Sequence, residues 1–175
     1  IGVRLVGSEM CIRDRCRDTD KILKAMYVAA GIGQIIATRS SISGAAGGCQ
    51  AEIGSASSMA AGALTYLQGG NCEQIATSAA MAMKNLLGLV CDPVAGLVEV
   101  PCVKRNVIGT VNAMACADMA MAGIVSRIPP DQVMDAMKEV GDKMDASLRE
   151  TALGGLAQTD EGMKIAEKMH ASYEN

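Results

Sequence analysis

The chain has 175 residues, of which 50% are hydrophobic, 20% are charged and only 2% are aromatic, and its formal net charge is −3. High apolar content with low net charge excludes an intrinsically disordered chain. Without a basic excess or aromatic stacking surface, a nucleic-acid-binding module is disfavoured. The preference for Ala, Gly, Met and Leu over aromatic and β-branched residues argues against a β-sandwich and predicts an all-α, compact multi-helix domain.

The first residues differ from the rest of the chain. Residues 1–15 lack helical periodicity and begin with Ile1 rather than Met. We interpret residues 1–19 as an atypical segment, disordered or artefactual, and residues 20–175 as one helical domain truncated on its N-terminal side. Because no secretory leader precedes the seven cysteines, we expect a reducing, cytoplasmic setting.

Apolar residues at helical spacing predict a series of helices along the remainder of the chain. Thr19 and Asp20 offer N-cap oxygens for the first helix, and Asn71 offers one for the third. Four predicted helices span residues 20–37, 50–67, 73–89 and 102–125. One further helix starts at Pro129 and Pro130, and two short helical pieces follow at 146–157 and 161–172.

The helix interiors are rich in small residues. Gly54, Gly62, Gly109 and Gly123 fall inside predicted helices, where each costs about 1 kcal/mol relative to Ala, so we expect close approach between helix backbones there. The longest apolar stretch, residues 107–125, contains Asp118, whose insertion into a membrane would cost about 2.5–3.5 kcal/mol. We therefore predict a buried helix of a soluble domain and no membrane association.

A serine- and glycine-rich loop, SSISGAAGGCQ, covers residues 40–50. Its glycines permit a positive φ and close approach to a ligand, and its serines add hydroxyl donors. The loop leads into a predicted helix N-terminus, which favours a bound anion such as a carboxylate. The candidate substrate-binding residues are Ser41, Ser43, Gly44, Gly47 and Gly48. An ordinary flexible loop with a buried Cys49 is the alternative.

A second loop, CDPVAGLVEVPC, places Cys91 and Cys102 at its two ends beside prolines that restrict the backbone. The spacing is too long for a zinc knuckle or a redox CxxC pair. Together with Cys49, these residues offer three thiols in loops between helices, a set that suits three corners of an iron–sulfur cluster. The alternative is that they are buried, unliganded cysteines, as we expect for Cys72 and Cys116.

Three segments, SISGAAGGCQAEIGSASSMAAGA, LLGLVCDPVAGLVEVPCVKRN and SLRETALGGLA, closely resemble the α-chain of the iron–sulfur L-serine dehydratases. The resemblance covers residues 20–170. It implies a helical α-chain that binds a 4Fe–4S cluster through Cys49, Cys91 and Cys102 and pairs with a β-chain. It also implies a cytoplasmic lyase of amino-acid catabolism and gluconeogenesis that converts L-serine to pyruvate and ammonia.

The implied chemistry uses an iron without a protein ligand as a Lewis acid for the departing hydroxyl group, while the glycine loop holds the substrate carboxylate. We identify no general base in the sequence, since we expect His170, the only histidine, to be a surface residue. The family's N-terminal part and β-chain are not in this sequence, so we predict that the chain alone is inactive.

Three further points remain open at this stage. Arg105, Asn106, Arg149 and Glu150 lie inside the matching segments, where they either orient ligands or form ordinary helix-end charges. An L-cysteine desulfidase-like lyase shares the SISG-type loop and the cluster cysteines. A helical interaction fragment without a cofactor is the alternative from a different class.

Overall fold

Residues 18–173 are the part of the chain that this computed structural model describes, and they form seven α-helices with no β-strand between them. The predicted all-α fold is confirmed. The helices are α1 (Thr19–Arg39), α2 (Gly44–Gly47), α3 (Ser55–Leu67), α4 (Cys72–Lys84), α5 (Cys102–Met121), α6 (Pro130–Lys143) and α7 (Asp160–Tyr173). The prediction for residues 1–19 falls almost wholly on residues 1–17, which lie outside the described range.

Short helical turns connect these elements. A π-helical turn, Gln50–Gly54, leads directly into α3, and 3₁₀ turns form at Val94–Gly96, Ala146–Leu148 and Gly155–Gln158. The prediction of helical structure throughout 146–157 is wrong, because only its two ends form 3₁₀ turns and the residues between them run as a loop.

Side-chain caps fix the beginnings of two helices. The Asp18 carboxylate accepts hydrogen bonds from the backbone of Asp20 at 3.0 Å and Lys21 at 3.2 Å, so the N-cap of α1 is Asp18 rather than Thr19 or Asp20. Asn71 caps α4 as predicted, and the Gln74 side-chain oxygen accepts a hydrogen bond from the backbone N–H of Asn71 in a capping box.

A helical body, which consists of α1, α3, α4 and α5, forms the larger part of the core. Helix α3 lies at its centre and packs against the other three. Nine of the thirteen buried residues in this core are alanines, and the complete set is Ala25, Ala29, Ala60, Ala61, Ala63, Leu64, Leu67, Met81, Ala82, Ala113, Cys116, Ala117 and Ala120. Such small side chains let helix axes approach closely, which explains how a chain poor in aromatic residues forms a dense interior.

Two helices end earlier than predicted, and each is followed by a glycine at positive φ. Helix α4 stops at Lys84 rather than residue 89, and Gly88 in the following turns has a φ of 83°. Helix α5 stops at Met121, so Gly123, with a φ of 88°, lies beyond the helix and not within it. A positive φ is readily available to glycine and marks helix C-termini.

Helix α6 packs across the end of this body and forms a second core. Val133, Met134 and Met137 of α6 are buried against Ile36 of α1 and Met83 of α4. Helix α6 also contacts α2, where a Cβ atom on Gly141 would lie 3.0 Å from the Cα atom of Gly47. This close approach positions the glycine-rich loop. Helix α7 packs against the 3₁₀ turn Val94–Gly96.

One face of α5 is open to solvent. Val107, Ile108 and Val111 are 61%, 59% and 60% exposed, so the prediction of a buried helix holds for only one side of α5. Among the described residues, no helix combines the length and the apolar character needed to cross a membrane.

Candidate cysteine site

Three cysteines from separate segments meet at one end of the helical body. Cys49 lies near the end of the glycine-rich loop, Cys91 lies in the loop after α4, and Cys102 is the first residue of α5. Cys49 is fully buried, Cys91 is 3% exposed and Cys102 is partly exposed, and all three are free thiols. They share a small apolar cluster with Ile53, Leu86 and Leu89. The structure thus brings together the three thiols that the sequence analysis selected.

A buried amide joins the residue after Cys49 to two other segments of the chain. Gln50 is 1% exposed, its Nε2 donates to the carbonyl of Met137 at 3.0 Å, and its Oε1 accepts from the backbone N–H of Gly88 at 2.9 Å. The Gln50 backbone N–H donates to Leu89 O at 2.9 Å. These bonds coincide with the π-helical turn Gln50–Gly54, a deviation that proteins frequently use at functional sites.

A buried ion pair lies beside the thiols. Arg105 Nη1 donates to Asp92 Oδ1 at 2.7 Å and to Val90 O at 2.8 Å, and it lies 3.9 Å from Cys49 Sγ. The Asp92 side chain is only 4% exposed and that of Arg105 is 15% exposed. Arg105 is therefore a cation in direct contact with the thiol cluster.

The thiols influence each other's protonation. The Cys49 thiol donates a hydrogen bond to Cys91, which raises the pKa of Cys49 and lowers the pKa of Cys91 below its ordinary value. Burial raises the pKa of Cys49 further, whereas the Arg105 guanidinium lowers it. Burial, followed by the proximity of Cys49, raises the pKa of Cys102 to about 11. Binding of a metal group that needs thiolates would therefore release protons here.

The donor set has the chemistry that iron–sulfur centres use. Thiolates are soft ligands, and Cys49 and Cys91 pack against the apolar side chains of Ile53 and Leu86. Within residues 18–173, no three His, Cys, Asp or Glu side chains stand close enough together to enclose a single metal ion. The fit with an iron–sulfur group thus rests on the three sulfur donors and their surroundings.

The glycine-rich loop borders the thiols through one residue. A Cβ atom on Gly44 would lie 3.4 Å from Cys91 Sγ. Ser43 is exposed, and its backbone N–H donates to Ser41 Oγ at 3.1 Å. Gly47 contacts Gly141, and Gly48 has a φ of 74° and packs against Met144 and Leu89 O.

The carboxylates of Glu52 and Glu150 both lie beside Gly44. The Cβ position on Gly44 lies 3.2 Å from Glu52 Oε2 and 3.5 Å from Glu150 Oε2. Sequence analysis did not select Glu52, although its position three residues after Cys49 places it about one helical turn away. Asp92 was also missed, and its place directly after Cys91 was the available indication.

Four further polar residues were named in the sequence analysis, and two of them, Glu150 and Arg149, bond to the loops around the thiols. Glu150 has a φ of 64°, and its backbone N–H donates to Cys91 O at 2.8 Å. Arg149 Nη1 reaches Ala46 O at 3.5 Å, which connects it to the glycine-rich loop. Asn106 is partly exposed in α5, and His170 is exposed in α7 as expected.

The two remaining described cysteines differ from each other. Cys116 is fully buried in the helical body, as predicted. Cys72 is exposed at the start of α4, so the expectation that it is buried is wrong. Cys11 and Cys16 lie outside the described residues.

The described part of the chain is an all-α domain in which three free thiols meet at one end of the helical body. We call this cluster of thiols the thiol pocket. The model of the family described as "Serine dehydratase alpha chain" matches residues 2–157, and this chain belongs to that family. The match thus begins close to the first residue of the sequence and ends before α7.

Three relatives show the extent of the similarity. The chain is 52% identical over 164 residues to the "Probable L-serine dehydratase, alpha chain" of Bacillus subtilis, covering 93% of this chain and 55% of the relative. It is 56% identical over 148 residues to the protein of the same name from Latilactobacillus sakei, covering 85% and 71%. It is 48% identical over 133 residues to "L-serine dehydratase 1" of Escherichia coli, covering 75% and 29%. The chain thus spans about half the length of the Bacillus subtilis relative.

Proposed function

We propose that this chain is the cluster-bearing part of an L-serine dehydratase, a cytoplasmic lyase of amino-acid catabolism that converts L-serine to pyruvate and ammonia. The observation that carries the proposal is the convergence of Cys49, Cys91 and Cys102 in one largely buried pocket. The names of the relatives support the substrate and the reaction.

Cys49, Cys91 and Cys102 would hold a 4Fe–4S cluster. When bound, such a cluster supplies a Lewis acid through an iron that has no protein ligand. Apolar residues pack beside these thiols, and the Arg105 cation would offset part of the negative charge that three thiolates bring into the pocket.

The glycine-rich loop would hold the substrate carboxylate. Gly44 lies nearest to Cys91, and Ser41 uses an oxygen lone pair, not its O–H, in the bond from the Ser43 backbone. Both serine hydroxyls can therefore donate to a carboxylate. Gly47 and Gly48 contribute backbone and allow the loop to pack against α6.

The chain would act together with a β-chain. Several relatives are named as alpha chains, which supports a second chain as partner. We propose that the 175-residue chain alone is inactive, because the remaining parts of the enzyme complete the catalytic site.

Two measurements test the proposal. After anaerobic reconstitution with iron and sulfide, the chain alone should show the broad visible absorbance of an iron–sulfur cluster. Together with the β-chain and the missing α-chain residues, it should release pyruvate from L-serine. A colourless chain would overturn the cluster assignment, and clear turnover by the chain alone would overturn its predicted inactivity. Hydrogen sulfide release from L-cysteine in place of pyruvate release from L-serine would identify a desulfidase instead.

A further inference from the structure

We propose that Asp92 and Arg105 form a positioning pair that fastens residues 148–156, the docking segment, to the thiol pocket. The inference rests on the proposed function only for the identity of the group that the thiols bind. The fastening itself is a property of the cofactor-free chain.

Asp92 joins two elements through its two carboxylate oxygens. Its Oδ1 accepts from Arg105 Nη1 at 2.7 Å, and its Oδ2 accepts from the backbone N–H of Leu156 at 2.8 Å. The residue is 3% exposed. A carboxylate buried to this extent is tolerated only when it is paired and hydrogen-bonded. Because each oxygen has a partner in a different element, Asp92 holds α5 and the docking segment to the Cys91 loop.

The docking segment makes two further bonds to the residue next to Asp92. The Cys91 N–H donates to Leu148 O at 2.8 Å, and the Glu150 N–H donates to Cys91 O at 2.8 Å. These bonds form an isolated parallel bridge between Cys91 and Arg149. Three hydrogen bonds therefore join the docking segment to two consecutive residues, Cys91 and Asp92, of which Cys91 is a candidate ligand.

Gly155 permits the closest part of this contact. Its φ is 61°, and a Cβ atom at this position would overlap the Asp92 carboxylate. Alanine would thus be strained by its backbone conformation and by contact with Asp92. Gly155 offers a way to displace the segment without changing any charge in the pocket.

Arg105 extends the connection to a second thiol. One nitrogen, Nη1, contacts Asp92 Oδ1, Val90 O and Cys49 Sγ. An Nη group has two hydrogens, so the two short bonds to oxygen use both, and the 3.9 Å contact with sulfur is a weaker interaction with the guanidinium charge. The pair thereby links the backbone around Cys91 to Cys49.

The test uses amide hydrogen exchange and thiol alkylation in the cofactor-free 175-residue chain. Asp92→Asn preserves the shape of the side chain but replaces one acceptor oxygen by a donor, so one of the two bonds must be lost. Gly155→Ala displaces the docking segment while Asp92 and Arg105 remain. In both variants we expect at least ~10-fold faster exchange at the amides of Cys91, Glu150 and Leu156.

The alkylation rate separates positioning from general loosening. Cys116 is fully buried in the helical body and serves as an internal reference. We expect both variants to raise the alkylation rate of Cys91 relative to Cys116. The matched control is Asp135→Asn, which removes the exposed ion pair with Arg39 and should leave both measurements unchanged.

Unchanged exchange at these amides in both variants would overturn the proposal, as would a parallel rise at Cys116. If Asp92→Asn does not fold, Gly155→Ala alone decides. Neither measurement requires a cluster or L-serine. A failure of the dehydratase proposal and a failure of this one are therefore distinguishable.

Discussion

The helical body and the thiol pocket are stabilised in different ways. In the body, alanines from four helices pack together, and buried hydroxyls bond to helix carbonyls, as Ser57 does with Gly109 O at 2.7 Å. At the pocket, α5 meets several loops, in which Ala95, Glu150 and Ala152 are at positive φ. Strained non-glycine backbone persists only where the surroundings hold it, and it is concentrated at functional sites. We therefore expect the body to set the stability of the chain and the pocket to hold the chemistry proposed for it.

The largest effect expected from this division is loss of the cofactor. Cys49→Ala, Cys91→Ala and Cys102→Ala should each abolish the visible absorbance after anaerobic reconstitution, because each removes one of three sulfur donors. Cys116→Ala is the matched control, since it removes a thiol from the helical body and should retain the absorbance. If the pocket variants keep the full absorbance, the three thiols are not ligands.

Truncation of a buried side chain in the helical body should lower the stability of the chain without loss of the visible absorbance. Leu64 is fully buried among alanines, which are too short to fill the cavity that Leu64→Ala leaves. We expect the free energy of unfolding to fall by about 2–5 kcal/mol, measured by urea denaturation. The visible absorbance per folded chain should remain unchanged. A parallel loss of absorbance would show that the two regions are not separable.

The helical body should lose stability in alkaline solution. Burial raises the pKa of Cys116 from 9.0 to about 11, so its thiol stays neutral in the folded chain while it ionises in the unfolded chain. Its contribution to stability is complete below pH 9 and is lost as the pH rises towards 11. At about 1.4 kcal/mol per pKa unit, this loss amounts to roughly 2–3 kcal/mol.

Cys116→Ala tests this alkaline effect, because it removes the ionising thiol. Its melting temperature should fall less steeply between pH 9 and pH 11 than that of the unmodified chain. Identical slopes would mean that ionisation of Cys116 does not destabilise the helical body.

The smallest effect concerns a cap at the far end of the body. Asn71→Ala removes the side chain that accepts from Gln74 N, and it should lower the free energy of unfolding by about 1 kcal/mol. Asn71→Ser retains a capping oxygen and should remain close to the unmodified chain. The visible absorbance should be the same for both variants, and equal stability of the two would argue against the capping role.

The helices were largely predictable because their information is local. Asn71 precedes α4 and Pro129 precedes α6, and a capping asparagine or a proline is a common signal for the start of a helix. The end of α4 was not predictable, since Leu86 leaves the helical pattern to join the thiol cluster. Likewise, the π-helical turn after Cys49 depends on bonds from Gln50 to Met137 and Gly88, which are distant in sequence.

The convergence of the three candidate thiols was predictable, but their surroundings were not. Cysteines beside glycine and proline indicated the three thiols, because rigid loops suit metal ligands. Nothing local indicated that Asp92 would bond to Leu156, or that Glu52 and Glu150 would face the same glycine. Those contacts arise where the chain after α6 comes back to the Cys91 loop. Because a helix was predicted at 146–157, these contacts were not expected.

Because its interior is lined with alanines, the body tolerates smaller side chains at these positions better than larger ones. At positions such as Ala61, Ala63 and Ala117, all fully buried, an alanine scan removes nothing and reports nothing. Enlargement is the informative direction, because each added methyl group has to displace a neighbouring helix. Sequence drift in this body is therefore expected to exchange alanine mainly with glycine and serine, so that the spacing between helices persists while the solvent-facing residues diverge.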